Sequence, residues 1–162
     1  MAGFRDHWPD AWPDLAAALD EVRQLLEPGR ICRAALGPAG RVLGWIGGLP
    51  QYDGRVWELH PLVVDAACRR RGLGRALVAD LESQVRARGG LTIILGTDDQ
   101  DGMTTLAGAD LYTDLWDHIR AIRNLKGHPY EFYQKLGYQI IGVVPDANGP
   151  GKPDILMGKR VL

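Results

Sequence analysis

The chain is short of most features that would set it apart from an ordinary globular domain, and each shortage excludes something. With only Cys32 and Cys68 there is no disulfide framework, so the thiols are expected to be free in a reducing, cytoplasmic compartment. His7, His60, His118 and His128 fall at no metal-ligand spacing, alone or with the cysteines, and no metal is expected. No apolar run approaches the roughly 20 residues of a membrane span, and Met1 to Trp12 contains no apolar signal core. A net charge of −1 leaves no broad basic face for nucleic acid. Neither a G-x-G-x-x-G string after a strand nor a G-K-[ST] string occurs, which sets aside dinucleotide and Walker-type nucleotide sites. Repeats and linkers are also missing, so residues 1–162 are read as one domain.

What is present is charge sorted along the chain. Arg69, Arg70, Arg71, Arg75, Arg86 and Arg88 crowd one stretch, whereas Asp98, Asp99, Asp101, Asp110, Asp114 and Asp117 follow in a segment without a single Lys or Arg. The split suggests one pole for an anionic cofactor and another for a cationic substrate.

The order of elements follows from periodicity and turn chemistry. Trp12, Leu15, Leu19, Val22 and Leu26 predict an amphipathic helix closed by Pro28-Gly29. Ile31–Leu36 and Val42–Leu49 flank Gly37-Pro38-Ala39-Gly40 and predict a hairpin. Trp57–Val64 reads as the next strand, Leu73 to Val85 as a helix ending at Gly89-Gly90, and Leu91–Leu95 as a short strand. Leu111, Leu115, Ile119 and Ile122 predict a further helix, Pro129 opens a short one that ends at Gly137, and Gln139–Val144 and Ile155–Val161 close the sheet. Antiparallel strands followed by strands alternating with helices indicate an α+β (mixed α/β) fold on a single sheet.

Two stretches carry chemistry. The first, Arg69-Arg70-Arg71-Gly72-Leu73-Gly74-Arg75, stands between a strand and a helix. A helix start leaves backbone N–H groups unpaired at the positive end of the dipole, glycines allow close approach, and arginines add charge at the rim, so a pyrophosphate fits there. The second is the strand Trp57–Val64, whose alternation puts Glu58, His60, Leu62 and Val64 on one face and Trp57, Leu59, Pro61 and Val63 on the other. Pro61 cannot donate to a ladder and so predicts an edge, a bulge or an opening.

Glu58-Leu-His-Pro-Leu-Val-Val, Arg69-x-x-Gly72-x-Gly74 and Tyr133-Gln-Lys-Leu-Gly137-Tyr138 together resemble the acetyl-CoA-binding core of the GNAT N-acetyltransferases. Within that superfamily, WELHPLVV, LGTDDQD, HPYEFYQKLGY and PDANGPGKPDI resemble enzymes that acetylate the six-prime amine of aminoglycosides. The resemblance runs from about Trp12 to Val161 and implies the GNAT fold, a mixed, mostly antiparallel sheet split open at the acetyl-CoA site between the strands at Trp57 and Leu91. The superfamily usually begins with a strand and a helix, whereas this chain starts about where that helix should be ending, so the first strand is expected to be missing. Either Met1 is an internal start or a neighbouring chain, as in a homodimer, covers the gap, and contacts from Trp8 or Trp12 to an aminoglycoside depend on which.

The resemblance also assigns roles. Val63, Val64, Arg69, Arg70, Arg71, Gly72, Leu73, Gly74, Arg75, Ala76 and Tyr133 are expected to hold acetyl-CoA. Transfer to an amine needs a base, a donor to the thioester oxygen and an acid for the thiolate. Glu58 or His60 is expected as base, the Leu62 N–H as donor and Tyr133 as acid. Ammonium groups favour carboxylates and an aromatic wall, which points to Asp98 and Asp99, with Asp154, Glu58 and Tyr52 beside them. Another small amine or polyamine as acceptor, or a non-catalytic acyl-CoA-binding regulator, are the alternatives; a pure binder needs none of Glu58, His60 and Tyr133.

Overall fold

The computed structural model describes residues 12–162, in the order α1 (Leu15–Leu25), β1 (Ile31–Leu36), β2 (Val42–Gln51), β3 (Val56–Val64), α2 (Leu73–Ala87), β4 (Thr92–Asp98), α3 (Leu115–Arg120), α4 (Tyr130–Gln134), β5 (Gln139–Val144) and β6 (Asp154–Arg160). Trp8 lies outside the described residues. Helices flank a six-stranded, mostly antiparallel sheet of strand order β1-β2-β3-β4-β6-β5, the mixed α+β class expected of GNAT enzymes. By packing, the chain divides into two compact units, residues 1–93 with Val161–Leu162 and residues 94–160.

In the first unit β2 is the middle strand, and Gly44 to Gly48 are buried on both faces. Its glycines explain how. A Cβ at Gly47 would overlap the His60 carbonyl and Leu25 of α1, and Cβ atoms at Gly44 and Gly48 would press on Leu77 and Leu81 of α2. Helix α1 therefore lies on the Trp45–Gly47 face and α2 on the Gly44–Ile46–Gly48 face, each closer than a side chain would allow. Trp12, Ala18, Leu25, Trp45 and Val63 form the α1-side core, with Val22, Cys32 and Leu49 packed against it.

Two expectations change here. Helix α1 starts at Leu15, where the Asp14 carboxylate caps the Ala17 N–H at 2.8 Å. Its buried line runs through Ala18, Val22 and Leu25, while Leu15, Leu19 and Leu26 are exposed; the helix is turned so that Leu25 meets Gly47 of β2. In β3 the alternation breaks. Ile46 pairs with Leu62 and Gly48 with Leu59, so His60 and Pro61 together oppose Gly47 in a bulge. Beyond it the faces exchange. Leu49 pairs with Glu58 and Trp45 with Val63, putting Glu58 and Val63 on the α1 side, and Leu62 and Val64 leave the face predicted for them.

In the second unit β5 and β6 pair antiparallel, and Leu95, Leu106, Leu111, Tyr138, Ile155 and Met157 are buried. The helix predicted around Leu111 is shorter than its apolar spacing suggests. Only Leu115–Arg120 is helical, and Leu111 reaches the core from a turn fixed by Asp110, which accepts from the Tyr112 N–H (3.2 Å) and the Thr113 hydroxyl (3.0 Å).

Candidate active site

The basic turn follows β3 and a short 3-10 turn at Ala66–Cys68 and leads into the start of α2. The first intrahelical bond there is Ala76 N–H to Gly72 C=O, 3.0 Å, so the N–H groups of Leu73, Gly74 and Arg75 precede the ladder. Gly72 has φ +86°, a conformation in which any side chain is strained, although a Cβ would meet nothing within 4 Å. Backbone conformation, not crowding, demands the glycine. Arg70, Arg71 and Arg75 are exposed and form no ion pair among the described residues, while Arg69 donates to the Val64 carbonyl at 3.3 Å. Asp65 is engaged by Arg41 and by the Ala67 N–H (2.9 Å), which keeps the nearest carboxylate occupied. Unpaired donors, a helix dipole and free guanidinium groups converge on one end of one helix. An anionic pyrophosphate fits these residues.

Glu58 accepts from the Gln51 side-chain amide at 3.3 Å, and Tyr52, 75% exposed, stands on the turn directly after Gln51. His60 faces Glu21 of α1, 3.6 Å away, and not Glu58. The bulge thus gives Glu58 and His60 separate neighbours on the same side of the strand.

Tyr133 owes its place to the string that follows it. Gly137, at φ +90°, lets its own N–H return to Gln134 C=O (2.9 Å) and the Tyr138 N–H to Tyr133 C=O (3.1 Å), a Schellman cap. The two tyrosine rings that this cap joins meet edge to face, with centroids 5.7 Å apart, and Phe132 flanks Tyr133 at 5.0 Å. Burial holds the Tyr133 phenol well above the ordinary tyrosine pKa, so it stays protonated.

The acidic segment divides into distinct roles. Asp99 is fully buried, and its carboxylate accepts from Met103 N–H (2.6 Å), Thr104 N–H (2.8 Å) and the Thr104 hydroxyl (2.7 Å). Three donors hold the carboxylate inside the loop it organises. Asp98 is exposed and takes one bond from the Asn148 amide, 2.6 Å. Asp154 lies against Gly96, where a Cβ would overlap its carboxylate. Asp117 is paired with Arg120 on α3.

Three residues escaped the sequence reading. Asn148 holds Asp98 and receives a bond from Gln100 at 3.2 Å. His128 is buried, its Nε2 lies 3.1 Å from the Asp98 carbonyl, and its Nδ1 accepts from the Tyr130 N–H at 3.2 Å. Asn124 brackets the His128 backbone, accepting from its N–H at 2.7 Å and donating to its C=O at 2.9 Å. Burial pushes the His128 pKa down, against smaller upward pulls from the Asp98 carbonyl and the carboxylates of Asp99 and Asp98. The only signal in the sequence is a histidine before Pro129, which by itself says nothing about burial.

The family model of the acetyltransferase (GNAT) family matches residues 1–105. The chain is 48% identical to an aminoglycoside 6'-N-acetyltransferase solved with coenzyme A, with a TM-score of 0.94 and coverage of 99% of this chain and 88% of that one. The aminoglycoside 6'-N-acetyltransferase from Enterococcus faecium is likewise 48% identical, with a TM-score of 0.92 and the same 99% and 88% coverage. An aminoglycoside 6'-acetyltransferase type Ii is 40% identical, with a TM-score of 0.74 over 99% of this chain and 86% of that one. No curated protein matches the chain.

Proposed function

Since the chain belongs to the GNAT acetyltransferase family, we infer that it transfers an acetyl group from acetyl-CoA to the 6'-amine of an aminoglycoside and so confers resistance to it. The observation that supports this reading most is the start of α2, where Gly72 in a left-handed turn, the open N–H groups of Leu73 to Arg75 and the exposed Arg70, Arg71 and Arg75 offer donors to a pyrophosphate. When bound, acetyl-CoA supplies an acyl group already activated as a thioester. The chain's own residues have the remaining tasks. Glu58, held by Gln51, takes a proton from the substrate ammonium, directly or through water, and frees its lone pair for attack. The Leu62 N–H, beyond the bulge, donates to the carbonyl oxygen as it gains charge. Tyr133 gives its proton to the departing thiolate as the carbon–sulfur bond breaks. His60, beside Glu21, is the less favoured base.

Val63, Val64, Arg69 to Ala76 and Tyr133 form the proposed acetyl-CoA site. Asp98, exposed at the end of β4, is the proposed ammonium contact, with Tyr52 and Asp154 secondary. The two units are proposed to work as one catalytic domain. Among the described residues no helix is long and apolar enough to cross a membrane. We place the enzyme in the cytoplasm, a reading supported by free Cys32 and Cys68, and propose a homodimer, supported by exposed Ile141 and Val144 on β5 at the end of the strand order.

A thiol-release assay across kanamycin-like aminoglycosides, simple diamines and peptide amines, with mass spectrometry of the products, tests the assignment. Acetylation at the 6'-amine is expected. Turnover of diamines or peptides with none of aminoglycosides would overturn the acceptor and leave the fold and donor in place.

A further inference from the structure

We propose that His128, as an uncharged imidazole with its proton on Nε2, is a positioning residue that ties the end of β4 at Asp98 to the start of α4 and thereby sets the attitude of Tyr133. The tautomer follows from the partners. The Tyr130 N–H is a donor and lies 3.2 Å from Nδ1, so Nδ1 must offer its lone pair. The ring proton then belongs to Nε2, which donates to the Asp98 carbonyl at 3.1 Å. Both ring nitrogens are used, and nothing is left for a metal or a substrate.

The ring is also held along its edges. Asn124 brackets the backbone of His128 on both sides, and the Tyr130 ring tilts against the imidazole at 5.7 Å. From the end of β4 the charged groups acting on it are Asp98 and Asp99, from α4 it faces Tyr130, and from the segment before it the neutral Asn124. Helix α4 spans only Tyr130–Gln134, too short to hold its own direction. The imidazole fixes its first N–H and the Schellman cap at Gly137 fixes its last turn, with Tyr133 between them. A proton on Nδ1 would set two N–H groups against each other and release the first of these anchors.

The idea rests on the reading of Tyr133 as the acid, and the test separates the two. Nitrogen-15 NMR of the wild-type imidazole at neutral pH is expected to show protonated Nε2 and unprotonated Nδ1; an Nδ1–H tautomer would overturn the tie. In kinetics, His128→Asn and His128→Gln are each expected to lower kcat about tenfold or more while the KM for acetyl-CoA stays within about twofold. Combined with Tyr133→Phe, either should add little further loss, because its effect acts through that phenol. Multiplicative losses would sink the positioning role. If Tyr133→Phe alone turns over like wild type, the acid assignment is what fails, and the NMR result still decides whether the imidazole makes the tie.

Discussion

The arginine turn before α2 and the aspartate segment after β4 are equally lopsided in charge, yet the fold treats them in opposite ways. Arg70, Arg71 and Arg75 stay outside with no ion pair among the described residues, whereas Asp99 turns fully inward, Asp110 is absorbed in its own turn and Asp117 is paired with Arg120. A run of like charge is therefore not yet a binding site. What decides is which groups the backbone donors meet first. At the start of α2 they meet no carboxylate, because Asp65 is engaged by Arg41 and the Ala67 N–H, so the open N–H groups and the exposed arginines stay available to an anion. In an irregular loop the loose N–H groups claim the carboxylates first, and of the adjacent pair Asp98 and Asp99 only Asp98 remains at the surface.

The largest effect expected belongs to Tyr133, the proposed acid, buried in the second unit. Tyr133→Phe keeps the ring packing and should lower kcat about 100- to 10,000-fold, the usual span for such a group, with acetyl-CoA affinity little changed. Stopped-flow detection of thiol release measures it, and a twofold change would remove the phenol from the chemistry.

Asp99→Ala tests the inward fate directly. Three donors lose their acceptor in a buried loop, and the cost should be about 3 kcal/mol or more, seen as a lowered denaturant midpoint. If the variant is as stable as wild type and instead shows a raised KM for aminoglycoside, the division between the two aspartates is wrong.

On the outward side, Gly74→Asp places a carboxylate in the first turn of α2 beside the open N–H groups. Acetyl-CoA affinity by calorimetry should fall at least tenfold, with the folded state intact, since an anion there repels a phosphate while the dipole tolerates it. Unchanged affinity would move the pyrophosphate elsewhere.

A smaller change is expected from Asp98→Asn, which should raise the KM for a kanamycin-like substrate up to about tenfold, leave the KM for acetyl-CoA alone, and weaken the salt dependence of the former. The same substitution at Asp99 should act on stability. Equal kinetic effects at both positions would erase the contrast.

The smallest effects concern pH. Because burial lowers the His128 pKa, the uncharged ring stabilises the fold above the ordinary histidine value, and that contribution is lost as pH falls through the lowered folded value. Burial raises the Tyr133 pKa, so its contribution is complete below the ordinary tyrosine value and is lost as pH climbs above it. Chemical denaturation from pH 4 to 11 should show both declines, the acid one weakened in His128→Asn and the alkaline one in Tyr133→Phe.

Much of this was legible in the chain. Gly72, Gly89 and Gly137 mark helix ends because only glycine adopts their backbone conformation without strain. The apolar spacing in α2 is equally local. The strand faces were not, for a bulge inserts one residue without changing composition, and it carried Leu62 and Val64 away from Glu58. The buried line of α1 runs through Ala18 and Leu25 because Gly47 of its partner strand, not the helix's own apolar content, sets where Leu25 makes the closest approach.

By itself, then, the sequence determined the order of elements, the helix caps and the anion-receptive turn, since each depends on backbone sterics within a few residues. Tertiary structure alone decided which carboxylate stayed free, which side of β3 each residue took, and that His128 would be an uncharged strut. Those outcomes depend on which donors lie within hydrogen-bond reach in space, and residues as far apart as Asp98 and Asn148 become neighbours only once the chain has folded.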